Sequence, residues 1–366
     1  MTSVAIIGAG IAGAGIAYFL GGDAEVTLIE AETQPGYHTT GRSAAFYAET
    51  YGGPPIQPLT TASKTFFEVP PPEFAAVPLL GSRGGLHVAD AASLAALAEL
   101  ESEFAGSGVT IERLSPTAID RFAPQLRPAW RAGALWEPDC RDIDVAALHQ
   151  GFLAGARRAG ARLLTDARVT ALGRGGSGWR IETSSSEVCA DLVVNAAGAW
   201  GDEVAALAGV APLGLQPMRR TVVVLDVEPP PAPDLPLVIA ADGSFYFKPD
   251  AGRLWVSPHD ETPAPANDCQ PEDYDVALAI DRLERATTWN IRRVERAWAG
   301  LRTFTPNRLP AIGFDPATPA FFWCVGQGGY GIQTAPAASQ LAAALILGGQ
   351  HNLPGVEAAT YAPRHL

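Results

Sequence analysis

Charge is scarce in this 366-residue chain, and positive charge is scarcest. Only 18% of residues are charged, and 39 acidic residues outweigh 26 basic ones for a net charge of −13. A surface of that sign repels a phosphate backbone, so nucleic acid is not an expected partner. Lysine occurs only as Lys64 and Lys248, which reads as base-composition bias and not as function. The cysteines Cys140, Cys189, Cys269 and Cys324 are scattered, with no C-x-x-C pair and no accompanying His cluster. That indicates neither a zinc site nor a disulfide framework and suits a reducing compartment. Histidines are also few, and neither His38 nor His87 has an adjacent acid or nucleophile that would make a triad legible. Beyond the N-terminus no glycine-free apolar run of about 18 residues exists to span a membrane. The apolar stretch from Ser3 to Leu20 lacks a basic flank and an A-x-A cleavage site, so it does not read as a signal peptide. A soluble, cytoplasmic protein is expected.

What is abundant is apolar: 47% of residues are hydrophobic, which excludes a disordered chain. The length suits roughly two domains of about 150 residues, and a chain this long folds without disulfide or metal staples.

Val4 to Ile7 is a continuous apolar run, as a buried parallel strand requires. Gly8-Ala9-Gly10-Ile11-Ala12-Gly13 follows, then an apolar helix from Ala14 to Leu20, then a strand from Glu25 to Ile29 ending at Glu30. This is a βαβ unit with glycines at its first turn. Ala31 to Tyr51 is loop-like, and Pro54, Pro55, Pro58 and Pro70 to Pro72 break up the next region. Arg83 to Ala89 reads as a strand, Ala91 to Phe104 as helical and Val109 to Leu114 as a short strand. Asp144 reads as the N-cap of a helix from Val145 to Ala159. Short strands follow at Arg162 to Thr165, Arg168 to Leu172 and Trp179 to Thr183, with residues 173–178 as a hairpin loop. Leu192 to Val194 is another buried strand. Met218 to Val227, Leu237 to Ala241, Ser244 to Pro249 and Arg253 to Ser257 read as an antiparallel sheet. Pro271 to Thr287 is helical, Phe321 to Val325 a strand, and Ile332 to Leu347 a helix that opens after Gly326-Gln327-Gly328-Gly329-Tyr330-Gly331.

Nucleotide-fold signals thus stand at both ends and in the middle, with β-rich insertions between them. The expected fold class is α/β: a Rossmann-like nucleotide-binding domain (1–50, 142–210 and 300–366) interleaved with an antiparallel-sheet α+β substrate domain (51–141 and 211–299).

Gly8-x-Gly10-x-x-Gly13 fits a dinucleotide fingerprint. Gly8 allows the tight turn, Gly10 admits a pyrophosphate to the backbone, and Gly13 lets helix and strand pack closely. The helix N-terminus then faces the phosphates. Glu30, 22 residues beyond Gly8, is placed to hydrogen-bond ribose hydroxyls. A tight βα turn that binds nothing is the bland alternative, and the fingerprint does not choose between NAD and FAD. The C-terminal glycine loop offers backbone N–H groups to a flavin edge or simply caps a helix. Arg220 and Arg302, the latter read as following a strand, have the guanidinium geometry that suits a carboxylate. Surface salt bridging would explain them equally well, and Tyr246 reads as an ordinary strand tyrosine.

The motifs taken together resemble the D-amino-acid oxidase superfamily of FAD enzymes, and within it the bacterial D-arginine dehydrogenases. The resemblance runs through the whole chain in order. It covers Gly36-Tyr37-His38-Thr39-Thr40-Gly41-Arg42-Ser43-Ala44-Ala45, Asp142 to Gly151, Val194 to Trp200, Leu213 to Pro217, Phe245 to Asp250, Trp298 to Arg302 and Gln327 to Gln333. It implies non-covalent FAD held by Gly8, Gly10, Ile11, Ala12, Gly13 and Glu30, with Val169 near the adenine. Gly41, Arg42, Ser43, Ala44, Ala197, Gly198, Trp200 and Arg302 would also contact the cofactor, and Gly328, Gly329, Tyr330, Gly331, Ile332 and Gln333 its pyrimidine edge. It further implies that Arg220, Arg302 and Tyr246 hold a substrate carboxylate, that the Gly329 carbonyl faces the substrate nitrogen, and that Tyr51 rides on a loop closing over it. Leu237 and Ile239 would be apolar substrate contacts.

Two positions depart from that pattern. Gly85 stands where the relatives carry the glutamate that binds a substrate guanidinium, and Phe46 stands where they carry a histidine. An unpaired buried cation is costly, so D-arginine and D-lysine are expected to be poor substrates unless Glu49 compensates. The expected activity is oxidative deamination of neutral, preferably hydrophobic, D-amino acids by hydride transfer to flavin N5, giving an imino acid and then a keto acid and ammonia. A quinone or another acceptor, or O2, would reoxidise the flavin. The alternatives are an FAD oxidoreductase of secondary amines (sarcosine or glycine type) or 2-hydroxy acids, an NAD-dependent dehydrogenase, and a non-catalytic or RNA-modifying flavoprotein.

Overall fold

A computed structural model describes residues 1–176 and 178–364. Its first layer is a six-stranded sheet in the order β20 (Ala311–Phe314), β21 (Phe321–Val325), β13 (Leu192–Asn195), β1 (Thr2–Ile7), β2 (Ala24–Ile29) and β9 (Arg162–Leu164), numbered along the chain. All its pairings are parallel except that of β20 with β21. The sheet is covered on both faces, which is why its strands read as unbroken apolar runs. Val4, Ile6, Val194 and Phe322 face one core, with the helices α1 (Ile11–Leu20), α5 (Val145–Arg158) and α8 (Gly331–Ile346). Ala5, Ile7, Val193 and Phe321 face the other, with α6 (Gly201–Leu207) and the small sheet β10 (Val169–Gly175), β11 (Gly178–Thr183) and β12 (Glu187–Ala190). Asp144 caps α5 as expected, its carboxylate accepting from the Ala147 amide at 2.8 Å. The expected hairpin loop at 173–178 is shorter than read, because β10 runs on to Gly175 and β11 begins at Gly178; residue 177 lies outside the described residues.

The second large sheet runs β18 (Thr262–Pro263), β14 (Gln216–Glu228), β17 (Arg253–Ser257), β16 (Tyr246–Asp250), β15 (Leu237–Ala240), β5 (Gly85–Ala89), β7 (Gly133–Glu137) and β6 (Glu112–Leu114). The long strand β19 (Asn290–Phe304) pairs with β14 from Gln216↔Phe304 to Glu228↔Asn290. The sheet is not wholly antiparallel as expected. β5, arriving from an earlier stretch of chain, pairs in parallel with β15. One face buries Val223, Leu225, Phe247 and Val256 against Ala279, Leu283 and Ala286 of α7 (Asp273–Ala286). Near this core lie α3 (Leu94–Glu103) and α4 (Pro116–Phe122). A three-stranded sheet of β3 (Phe46–Tyr47), β8 (Arg141–Ile143) and β4 (Leu80–Ser82) completes the set.

Two readings of the chain need correction. The proline-rich region contains a helix, α2 (Gln57–Glu68), which packs on α8. Pro58 sits in its first turn, where a missing N–H removes no helical hydrogen bond. Arg302 lies inside β19 and does not follow a strand.

Candidate active site

The carboxyl ends of β1, β2, β13 and β21 open into one long cleft, the position at which parallel sheets bind ligands. At its first end stands the glycine turn. Gly8 has φ +99°, and a side chain there would meet the Ala196 carbonyl at 2.5 Å. A side chain at Gly13 would meet the Gly8 carbonyl at 1.9 Å, so α1 rests directly on the turn. Gly10 has no side chain to cap α1; Thr40 does so instead, its Oγ1 accepting from the Ile11 amide at 3.0 Å. Glu30 is buried, and its carboxylate accepts from the amides of Ala9 and Glu32, each at 3.0 Å. Two amides leave a carboxylate further accepting capacity for a ligand hydroxyl. His149 holds the same turn from below: its Nε2 lies 2.8 Å from the Ala9 carbonyl, and burial pushes its pKa down.

Gly8, Gly10, Ile11, Ala12, Glu30, Ser43, Val169, Ala197, Gly198, Trp200, Arg302, Gly328, Gly329, Gly331 and Ile332 all line the cleft, joining six distant stretches of chain. Glu32, His38, Thr40, Arg168 and Glu203 line it too and were not anticipated. The His38 ring lies 4.7 Å from that of Trp200, and its Nε2 lies 3.1 Å from Glu32.

At its far end the cleft meets a small chamber. Ser43, Arg302, Gly329 and Ile332 line both, and Ala44, Ala45, Phe46, Tyr51, Arg220, Tyr246 and Gln333 complete the chamber. Arg220 on β14 and Arg302 on β19 are brought side by side by the β14–β19 register, which sets Met218 opposite Arg302 and Arg220 opposite Gly300. Both guanidiniums are at least 95% buried. Their environments differ. Arg220 donates from Nε to the Asp260 carbonyl at 2.8 Å and from Nη2 to Glu261 at 3.1 Å. Burial alone would lower its pKa, but Tyr51, Tyr246 and Glu261 hold it above the usual value. Arg302 Nη1 is buried with no hydrogen-bond partner, and burial together with the neighbouring Arg220 pulls its pKa down. Burial raises the pKa of Tyr246 against the pull of both arginines. Next to Tyr246, His259 points Nδ1 at the Gly243 carbonyl (2.8 Å), and burial, then Arg220, push it down to about 3.

Several anticipated residues stand elsewhere. Arg42 turns away from the cleft, donating to the Cys269 carbonyl at 2.6 Å and pairing with Asp268. Gly41 shapes the loop, its amide donating to the Gly36 carbonyl at 2.8 Å. Tyr330 packs on Ile56 and Phe304 and donates its hydroxyl to the Arg308 carbonyl. Gly13 supports the turn from behind. Leu237 and Ile239 pack behind the chamber wall, in one cluster with Tyr246, Phe46 and Tyr51. Gly85 does not line the chamber: a side chain there would meet Cys140 Cβ at 3.2 Å, so Cys140 fills the space beside it. Glu49 faces α2, where it accepts from Thr61.

The donor set fits a flavin dinucleotide: a glycine turn and helix end for phosphates, an acid with spare capacity for ribose, and a second glycine loop at the start of α8. These features are those of a dinucleotide-binding site of the glycine-fingerprint type. Residues 3–345 match the DAO family, FAD dependent oxidoreductase, and the chain belongs to that family. Among curated relatives, it is similar to the FAD-dependent oxidoreductase domain-containing protein 1 of Bos taurus, at 31% identity over 43% of this chain and 36% of that one. It is 25% identical to the glycine oxidase of Geobacillus kaustophilus over 66% of this chain and 63% of that one. The chain thus matches about a third of the length of the first relative and just under two thirds of the second. The crystal structure of glycine oxidase from Geobacillus kaustophilus superposes with a TM-score of 0.87 at 24% identity, covering 100% of both chains. Among the described residues no helix is long and apolar enough to cross a membrane, and no group of acids, histidines and cysteines is placed to hold a metal.

Proposed function

We propose that this protein oxidatively deaminates neutral D-amino acids, with D-arginine and D-lysine poor substrates. The observation that carries the reading is the unpartnered, buried Nη1 of Arg302 beside Arg220 and Tyr246, at the junction of cleft and chamber. Two adjacent buried guanidiniums call for an anion, and a carboxylate fits their forked geometry. Arg220 and Arg302 grip that carboxylate, with the Tyr246 hydroxyl as a third donor, and so fix the α-carbon; such positioning removes much of a reaction barrier. The Gly329 carbonyl is available to the α-amine. Bound FAD would supply the two-electron acceptor. The imino acid released hydrolyses to a keto acid and ammonia, and a quinone, another acceptor or O2 takes up the electrons. Phe46 in the chamber, Cys140 beside Gly85 and the engagement of the buried Glu49 by Thr61 of α2 all disfavour a basic side chain. The D configuration rests on the resemblance of the sequence motifs. The proposed division of labour follows the two large sheets, with segments 1–50, 142–210 and 300–366 holding FAD and segments 51–141 and 211–299 shaping the substrate site.

A second reading, oxidation of glycine or of a small secondary amine, is favoured by the aromatic crowding of the chamber by Phe46, Tyr51 and Tyr246 and by the likeness to glycine oxidase. Anaerobic mixing of the holoenzyme with D- and L-amino acids, glycine, sarcosine and 2-hydroxy acids, following loss of flavin absorbance, separates these. Rapid bleaching by neutral D-amino acids supports the first reading, and bleaching confined to glycine and sarcosine supports the second. Fast bleaching by D-arginine overturns the specificity argument. An Arg302→Ala variant as active as the parent overturns the site.

A further inference from the structure

The segment carrying Tyr51 has little regular structure: beyond the two-residue strand β3, residues 49–52 form turns, yet Ala48, Glu49 and Thr50 are buried. Buried amides need acceptors. Those of Glu49 and Thr50 find theirs in one side chain, Glu137, at the end of β7. Glu137 is 1% exposed, and its Oε1 accepts from the Glu49 amide at 2.7 Å and the Thr50 amide at 3.3 Å. Its Oε2 accepts from Thr50 Oγ1 at 2.7 Å. His87, on β5, lies with Nε2 3.1 Å from the same oxygen, and with the carboxylate accepting, that nitrogen is the donor. On the opposite side Gln333 of α8 takes up two further backbone groups, accepting from the Ala48 amide at 3.1 Å and donating to the Tyr51 carbonyl at 3.0 Å. The backbone is therefore held from the substrate-side sheet by Glu137 and from the cleft side by Gln333. Tyr51 projects from it so closely over Gly329 that a side chain there would lie 2.1 Å from the tyrosine hydroxyl.

We infer that Glu137, supported by His87, is a positioning residue that fixes residues 49–51 and thereby sets Tyr51 as a standing wall of the chamber. It touches neither substrate nor cofactor and acts through the loop. The consequence for ligand binding rests on the reading of the chamber as a carboxylate site; the consequence for the loop does not. A charge is suited to this task because one carboxylate satisfies two consecutive amides and two side-chain donors at once, which a neutral acceptor of one oxygen does not.

The test uses the holoenzyme as wild type, Glu137→Ala, Glu137→Gln and Thr50→Val. Hydrogen exchange is read for the segment 47–53 and, as references, for β5 and α1. Acetate binding is read by perturbation of flavin absorbance. Glu137→Ala is expected to speed exchange at residues 49–51 by about 100-fold with the references unmoved. Acetate binding should weaken about tenfold. Glu137→Gln keeps one oxygen for both amides but loses the acceptor that faces Thr50 Oγ1 and His87 Nε2, so its protection and binding should fall between those of Glu137→Ala and wild type. Should Glu137→Ala fail to fold, Thr50→Val, which deletes one hydrogen bond to Oε2, carries the test with a smaller increase confined to the same segment. Unchanged exchange at 49–51 in the variants, equal loss of protection in β5 and α1, or a glutamine variant as impaired as the alanine one overturns the inference. If exchange responds as expected but wild-type holoenzyme ignores acetate, Glu137 still fixes the loop, and it is the carboxylate reading of the chamber that falls.

Discussion

Arg302 and Arg220 show how two identical side chains acquire different properties from their neighbours. Each loses hydration on burial, and each feels the other's charge. Arg220 is compensated by Glu261 and the Asp260 carbonyl, whereas Arg302 Nη1 has no partner. A bound carboxylate would complete Arg302, so Arg302→Met should weaken binding of a carboxylate ligand by about 2–5 kcal/mol, the range for truncating a buried, hydrogen-bonded charge. Equilibrium titration checks this, and Arg219→Met is the control, since Arg219 faces Asp275 and Glu272 instead. His259 gives a second prediction. Its pKa falls from 6.5 to about 3 in the fold, through burial and then Arg220. The unfolded chain therefore binds a proton between about pH 6.5 and pH 3 that the folded chain refuses. Stability is full above pH 6.5 and declines as pH falls through that window, by about 1.4 kcal/mol per pH unit for one such group. Asp260, raised by burial, works in the opposite sense, so the contribution of His259 is read by difference. Denaturant unfolding of His259→Asn should show a shallower loss toward acid than wild type; parallel curves would assign the acid sensitivity to other groups.

Elements of strong period or clear punctuation were legible in the chain, and those whose logic is tertiary were not. β1, α1 and β2 could be read because a doubly covered strand is apolar throughout and the glycine turn has a fixed spacing. The helix α2 was hidden because its prolines read as breakers, although Pro58 lies in the one turn where proline is harmless. β19 was partly hidden because its first half is exposed and charged and resembles a loop; only its pairing with β14 makes it a strand. The site shows the same division. Gly8, Gly10 and Glu30 carry their role in their spacing, but the Glu137–His87 contact spans 50 residues and joins strands whose register no local pattern reveals. His87 looked partnerless along the chain and is not so in space. At this scale the tightest contact is α1 on its own turn. Gly13→Ala would set a methyl 1.9 Å from the Gly8 carbonyl, a backbone atom that cannot swing aside. The helix must shift, and with it the amides that face the cleft. FAD affinity measured by reconstitution of the apoprotein should fall by about 100-fold or more, whereas Gly173→Ala, which has no neighbour within 4 Å, should leave it unchanged.

For the whole molecule the cleft is the place where the chain closes on itself. Its walls come from residues 7–12, 29–43, 167–169, 196–207, 301–303 and 327–332, so one ligand spans stretches that begin and end more than 300 residues apart. Many of these are turns with little packing of their own, such as residues 31–43, which hold together through Thr40 on the Ile11 amide and Arg42 on the 268–269 carbonyl and carboxyl groups. The two largest cores, by contrast, lie mostly away from the cleft: one is packed between the parallel sheet and α1, α5 and α8 and touches the cleft only at its edge, through residues such as Ile11, Ala196 and Ile332, and the other lies between the second sheet and α7. A ligand that binds only the folded chain adds stability as RT ln(1 + [L]/Kd), about 4 kcal/mol at a thousandfold excess over Kd. That gain should be felt first by the cleft walls. Removing FAD should therefore lower the thermal midpoint by several degrees, while proteolysis at residues 31–43 should speed up more than at the exposed turn of residues 105–108. Circular dichroism should stay near that of the holoenzyme, because neither core contains the ligand. An apoprotein that lost its secondary structure outright would mean instead that the six-stranded sheet itself depends on the bound dinucleotide, and the cleft would then be a folding nucleus and not merely a seam between finished parts.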